Sequence, residues 1–154
     1  MYDDTFGHWL SGLVDGEGCF HARYHIRKSD GAHALLVYFS IKMRADDLDM
    51  LTAIRDTLGV GVIYTHSEKS SKHLQADYHI VRTKDQVNVL IPHFDRYPLR
   101  SKKRRDYEIW RKIVLEYKAA PRRHNSKGIS SLAEERWKEV CTLVDVLRNT
   151  RQFR

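Results

Sequence analysis

Three features of this 154-residue chain predict an α+β fold: apolar residues three and four apart in two early segments, two pairs of alternating stretches joined by polar turns, and helical periodicity again in the last third. In order, they give helix, hairpin, helix, hairpin and then further helices. The four strands are expected to form one antiparallel sheet with helices on one face only, because the opposite face is too polar to bury.

The first helix follows from Phe6, Trp9, Leu10 and Leu13, with Asp3 or Asp4 as its cap and Gly16 or Gly18 as its end. From Cys19 the period changes to two. Phe20, Ala22, Tyr24 and Ile26 share one face, and His21, Arg23, His25 and Arg27 the other. After the turn "KSDGAH", Leu35, Val37, Phe39, Ile41 and Met43 alternate with Leu36, Tyr38, Ser40, Lys42 and Arg44. A second helix follows from Leu48, Leu51, Ile54 and Leu58, with Asp46 and Asp47 as cap candidates and Gly59 and Gly61 at its end. "VIYTHS" and "LQADYHIV" bracket the turn "EKSSKH" as a second hairpin. Beyond it come a short helix in "KDQVNVLIPHF" closed by proline, a longer one through "KKRRDYEIWRKIVLEYK", the loop "AAPRRHNSKGISS" and a last helix through "SLAEERWKEVCTLVDVLRN".

Composition narrows the class. Lys and Arg exceed Asp and Glu by seven, which points to a polyanionic partner, and three Trp, eight Tyr and five Phe put that charge on a globular scaffold rather than a disordered tail. Cys19 and Cys141 are far apart, so reduced thiols are expected and zinc is not. No apolar run approaches the length of a membrane span, and "MYDDTFGHW" is neither a signal nor a basic transit peptide. The expectation is one soluble intracellular domain over residues 1–154, with no membrane partner and no internal repeat.

The stretch "WLSGLVDGEG" places Asp15 and Glu17 at a helix C-terminus. The macrodipole makes each acid there unfavourable by a few tenths to about 1 kcal/mol unless a cation compensates. Leu10 to Gly18 resembles the nine-residue LAGLIDADG signature, departing from it by Ser11 for Ala, Val14 for Ile, Gly16 at the seventh place and Glu17 for the second acid. "FSIKM", "LGVG" and "YPLRSKKR" also look like their counterparts in single-motif homing endonucleases, so the resemblance covers almost the whole chain.

The resemblance implies an α-β-β-α-β-β-α core with a four-stranded DNA-binding sheet and additional C-terminal helices. It implies a site-specific endonuclease that makes a metal-dependent double-strand break in a long, roughly palindromic DNA target. A hard cation such as Mg²⁺ takes carboxylate and carbonyl oxygens, which Glu17 and Gly16 would supply. Ser11 and Gly12 are small enough for close helix approach, and one motif copy implies a homodimer whose helices pair through Leu10, Ser11, Gly12, Leu13 and Asp15.

Strands of this family lie in the major groove. The residues matching that use are His21, Arg23, His25 and Arg27 on the first strand, and Tyr38, Ser40, Lys42 and Arg44 on the second. Tyr64 and His66 on the third strand and Gln75, Asp77 and His79 on the fourth complete the set. "SKKRRD" puts four cations at a helix N-terminus that is already positive, so an anion is expected nearby. Lys102 matches the family's lysine close to the scissile phosphate, with Lys103 as a DNA-binding neighbour. Many relatives carry a glutamine near the end of strand two where this chain has Met43; Lys42 or Arg44 would substitute, and Arg44 is taken as a pocket residue. Arg122, Arg123, Arg148, Arg151 and Arg154 either reach flanking phosphates or remain solvated. The alternative on the same fold is a non-cleaving intron RNA maturase or a DNA-binding regulator.

Overall fold

The structure, a computed structural model, describes residues 2–26, 28, 33–67, 72–119 and 134–150. It runs α1 (Asp4–Glu17), β1 (Gly18–Ile26), β2 (His33–Arg44), a 3₁₀ turn (Ala45–Asp47), α2 (Leu48–Leu58), β3 (Val62–Ser67) and β4 (Leu74–Ile80). A single turn α3 (Thr83–Asp85), a π turn (Gln86–Leu90), α4 (Ile91–Arg96), α5 (Lys103–Ala119) and α6 (Glu134–Asn149) follow. The strands hydrogen-bond in the order β1-β2-β4-β3, with β4 antiparallel to β2 and to β3. This is the expected α+β order. No helix among the described residues is long and apolar enough to cross a membrane.

Local chemistry sets the boundaries. Asp3 caps α1, its Oδ1 accepting from the Phe6 N–H at 2.8 Å. Gly18 ends the helix in extended conformation, so the chain passes straight into β1. The start of α2 departs from expectation, because neither Asp46 nor Asp47 caps it. Asp46 instead takes the Arg44 guanidinium on both oxygens, at 3.1 and 2.7 Å, across the 3₁₀ turn. At the other end Gly59 adopts the left-handed conformation and donates to Arg55 O at 2.8 Å. Gly61 has a φ of 91°, and a Cβ there would run into the Tyr78 ring, whose hydroxyl donates to Val60 O at 2.7 Å. Only glycine meets both demands. Pro92 also departs from expectation: it does not close a helix but stands at the start of α4, directly after the π turn, where the Ile91 N–H bonds Gln86 O.

The chain falls into two compact units, Met1–Phe20 with Tyr38–Arg104, and His21–Val37 with Arg105–Arg154. In the first, Leu10 and Val14 of α1, Phe39 and Ile41 of β2, Leu51, Ile54 and Leu58 of α2, and Ala76, Tyr78 and Ile80 of β4 are buried. Phe20, Phe39 and Phe94 form an aromatic triangle with centroids 5.3–6.0 Å apart. Each such ring stabilises the fold by about 2–3 kcal/mol through burial. In the second unit, Trp110, Ile113, Val114, Val140, Val144 and Leu147 are buried, the Tyr24 hydroxyl donates to Asp145, and Thr150 Oγ1 donates to the buried Asp106 at 2.9 Å. Cys19 and Cys141 are half-buried free thiols.

His93 is buried at 2% exposure in the first unit. The Ser11 hydroxyl donates to Tyr97 O at 2.6 Å, so at 3.2 Å it accepts from His93 Nε2–H. His93 Nδ1 then accepts from the Tyr2 hydroxyl at 2.6 Å. Burial holds the imidazole neutral and lowers its pKa to about 4. Below the unfolded value near 6.5 the unfolded chain binds a proton that the folded chain refuses, so stability is lost as pH falls from about 6.5 towards 4. The His93→Gln variant is expected to lose this dependence. Its unfolding free energy between pH 7 and 5 should fall by about 1–2 kcal/mol less than that of the wild type, measured by urea denaturation.

Candidate active site and nucleic-acid interface

The two acids of the opening motif have different fates. Asp15, half-buried, accepts from the Arg100 N–H at 2.9 Å, the Ser101 N–H at 3.1 Å and the Ser101 hydroxyl at 2.7 Å. Burial alone would raise its pKa, but these hydrogen bonds and the Lys103 charge outweigh it and hold the carboxyl below its ordinary range. Ser101 in turn starts α5, its Oγ accepting from the Lys103 N–H at 3.1 Å. Glu17 is exposed and has no hydrogen bond or ion pair among the described residues.

A cation stands at this helix end. Lys103 is 5% exposed, and its Nζ donates to Gly16 O at 3.0 Å. It offsets the carbonyl charge that the macrodipole concentrates there. Lys102 is exposed and makes no such contact. Sequence reasoning named both lysines but ranked Lys102 first. The usable signal was helical phase, since Lys103 precedes Tyr107 by four residues and Trp110 by seven, on the buried stripe of α5.

The Glu17 carboxylate and the Gly16 carbonyl are hard oxygen donors, the set a Mg²⁺ ion takes. A carbonyl oxygen has two lone pairs, so the Lys103 contact leaves one for a metal. Among the described residues no three His, Cys, Asp or Glu gather into a metal-binding group. The donor set fits an ion whose remaining positions are filled by water and phosphate oxygens.

On β2, β4 and β3 the polar residues line up in rows. Ser40, His79 and Val62 are in register; so are Lys42, Asp77 and Tyr64, and so are Arg44, Gln75 and His66. Tyr38 stacks on His79 with centroids 5.2 Å apart, and Tyr64 meets the same ring edge-on at 5.6 Å. Ser40, at 6% exposure, is buried and offers no open contact, contrary to expectation. Arg44 is exposed and pairs with Asp46, while Met43, half-buried, faces Ala76. On β1, Arg23 and His25 are exposed and His21 is half-buried. Arg27, Arg122, Arg123, Arg151 and Arg154 lie outside the described residues, and Arg148 lies 3.8 Å from Asp145.

The expected helix-pairing surface is narrowed by the structure. Leu10 and Ser11 turn inward, at 2% and 5% exposure, Leu10 into the core and Ser11 to Tyr97 O. His8, Trp9, Gly12 and Gly16 are exposed, Leu13 is half-buried, and a Cβ at Gly12 or Gly16 would meet nothing within 4 Å. This stripe borders a groove lined by His8, Ser11, Gly12, Asp15, Pro98 and Arg100.

Residues 10–114, from the motif through most of α5, match the LAGLIDADG endonuclease family. The chain belongs to that family. Among curated relatives, the "Uncharacterized 50.9 kDa protein in ND4 intron 1" of Podospora anserina is 31% identical over 115 residues, covering 72% of this chain and 24% of the relative. The "Probable intron-encoded endonuclease 3" of Neurospora crassa is 33% identical over 106 residues, covering 69% and 19%. Among solved structures, the meganuclease I-SmaMI bound to uncleaveable DNA superimposes with a TM-score of 0.71 at 26% identity, over 90% of this chain and 43% of that one. The chain therefore spans less than half the length of each. I-SmaMI has also been solved with its uncleaved DNA target in the presence of calcium ions, at 24% identity and a TM-score of 0.70.

In this member of the LAGLIDADG family the first acid is tied to residues 100 and 101 and the second is left free. Asp15→Ala removes three charge-assisted hydrogen bonds and should destabilise the fold by about 1–3 kcal/mol, whereas Glu17→Ala should leave the melting temperature within about a degree of the wild type. Thermal denaturation of both variants checks this contrast.

Proposed function

We propose that this chain is a site-specific DNA endonuclease that cuts duplex DNA with a divalent metal at Glu17, acting as a pair of identical chains. The observation that carries the proposal is the exposed Glu17 carboxylate, unpartnered among the described residues, next to a Gly16 carbonyl that a buried lysine holds in place. Without a ligand to meet it, an acid at a helix C-terminus is only a cost.

Glu17 and Gly16 O would hold Mg²⁺, which supplies charge neutralisation at the phosphate oxygens and a more acidic water. Lys103 fixes the carbonyl and places its Nζ donor beside the position where phosphate charge would develop. Lys102, exposed one residue earlier, takes a flanking phosphate. This exchanges the roles that the family resemblance gave the two lysines. Arg44, held by Asp46, orients next to Gln75 at the end of β2 in place of the family's glutamine. Exposed Arg23, His25 and Tyr64, with half-buried Tyr38, Lys42, His66, Gln75, Asp77 and His79, supply groove and backbone contacts.

The pairing rests on the open stripe of α1. Gly12 and Gly16 leave a strip where a second helix approaches closely, and Trp9, 43% exposed, flanks it. I-SmaMI, bound to DNA, is more than twice as long as the part of it that this chain matches, as two such units in one chain would be. Here the second α1 comes from a second copy, which sets two Glu17 carboxylates side by side for two strands.

Glu17→Gln should abolish Mg²⁺-dependent cutting of a target-containing plasmid while DNA affinity changes less than about threefold in a gel-shift titration; retained cutting would remove Glu17 from the reaction. Lys103→Met should lower cleavage by at least about 100-fold, on the scale of losing one transition-state charge partner. Lys102→Met should mainly weaken binding and flatten its salt dependence.

A further inference from the structure

Asp77 is an oddity on a surface read here as a nucleic-acid interface. It is in the middle of β4, half-buried, with Lys42 of β2 directly opposite on one side and Tyr64 of β3 on the other. Its Oδ2 lies 3.8 Å from His66 Nδ1 and 3.9 Å from His79 Nε2, too far for hydrogen bonds. Its Oδ1 is buried and has no hydrogen-bond partner among the described residues. The carboxylate faces these two imidazoles only at ion-pair range, and with Oδ1 buried it is Oδ2 that is left to meet a ligand. It also repels any approaching phosphate backbone. A negative group in that position weakens binding to a polyanion unless the bound duplex brings a donor to it.

The major-groove edge supplies such donors in two places, cytosine N4 and adenine N6. Guanine and thymine present only acceptors there, and thymine a methyl group, so a carboxylate rejects them. Between the two donor bases, adenine carries the N7 acceptor beside its amino group, which faces a carboxylate unfavourably. Cytosine has a C–H in that direction. Lys42 completes the pattern. Directly opposite residues of an antiparallel pair lie on one face with Cβ atoms about 5 Å apart. An acceptor-only group beside a donor-only group thus matches the cytosine amino group beside the O6 and N7 acceptors of its paired guanine.

We infer that Asp77 is a specificity-determining residue that accepts from the N4 amino group of a cytosine, with Lys42 donating to the guanine paired with it. The inference rests on the endonuclease reading above and adds the base pair that this row of the sheet recognises. His66 and His79 flank the carboxylate, and Tyr38 and Tyr64 pack on the His79 ring, which keeps the contact partly dry and strengthens the discrimination.

The test is selection of bound sequences from a randomised duplex library by the full chain, for wild type, Asp77→Ala, Asp77→Asn and Lys42→Met, with melting temperatures measured alongside. Wild type should select a C·G pair at one position. Asp77→Ala should reduce that preference roughly tenfold, and Lys42→Met should relax the same position. Asp77→Asn should move the preference towards A·T, because a carboxamide pairs with adenine N6 and N7. If Asp77→Ala lowers affinity or stability but leaves every base preference intact, the carboxylate is not a reader. A preference that changes at a position other than C·G overturns the cytosine assignment. A wild-type protein that selects no sequence overturns this inference together with the proposed function, whereas a selected site indifferent to Asp77 overturns this inference alone.

Discussion

The Asp15 carboxylate bound to the amide hydrogens of residues 100 and 101 is the contact on which the candidate site depends. It joins the end of the first helix to the start of α5 across more than eighty residues of sequence. It also settles the electrostatics of an otherwise unfavourable helix end, because one of the two acids is satisfied by backbone donors and the carbonyl between them by a lysine. What remains is a single carboxylate, Glu17, whose charge has no partner among the described residues. A site that must attract a cation needs such a residue, and it needs the neighbouring charges to be fixed so that Glu17 stays available.

The helix carrying this motif has two opposite obligations. Its inner face is bound by Leu10, Val14 and the hydroxyl of Ser11, which joins the Tyr2, His93 and Tyr97 cluster. Its outer face keeps Gly12 and Gly16 bare. The motif's serine thus belongs to the fold, while its glycines leave room for another helix. Buried Lys103 reinforces the same division, since a cation that sits at 5% exposure on a motif carbonyl is held by the protein, whereas its exposed neighbour is free for a ligand.

Much of this was legible from the residues. The helix-hairpin-helix-hairpin order follows from local periodicity, and the alternation on β2 placed Val37, Phe39 and Ile41 on the face that is buried. Features that depend on a distant partner or a local competitor were not legible. Nothing near Asp15 in sequence reveals Arg100 and Ser101 as its donors. Asp46 reads as a helix cap until the Arg44 guanidinium is seen to take it. Pro92 has one appearance in sequence whether it ends a helix or begins one, and the π turn before it made the second outcome possible. Ser40 and Ser11 show that small polar residues on a predicted outer face are readily absorbed into the interior.

On the proposed function, the register across β2, β4 and β3 has a corollary for which DNA sequence is read. Residues two apart on a strand are about 7 Å apart, twice the rise between neighbouring base pairs, so consecutive outward positions along one strand serve well-separated steps of a duplex lying along it. Residues aligned across strands, such as Lys42, Asp77 and Tyr64, crowd onto one step. Retargeting under that function would therefore be a problem of strongly epistatic trios that are remote in the gene, and a library that varies a contiguous stretch of codons would sample the wrong combinations.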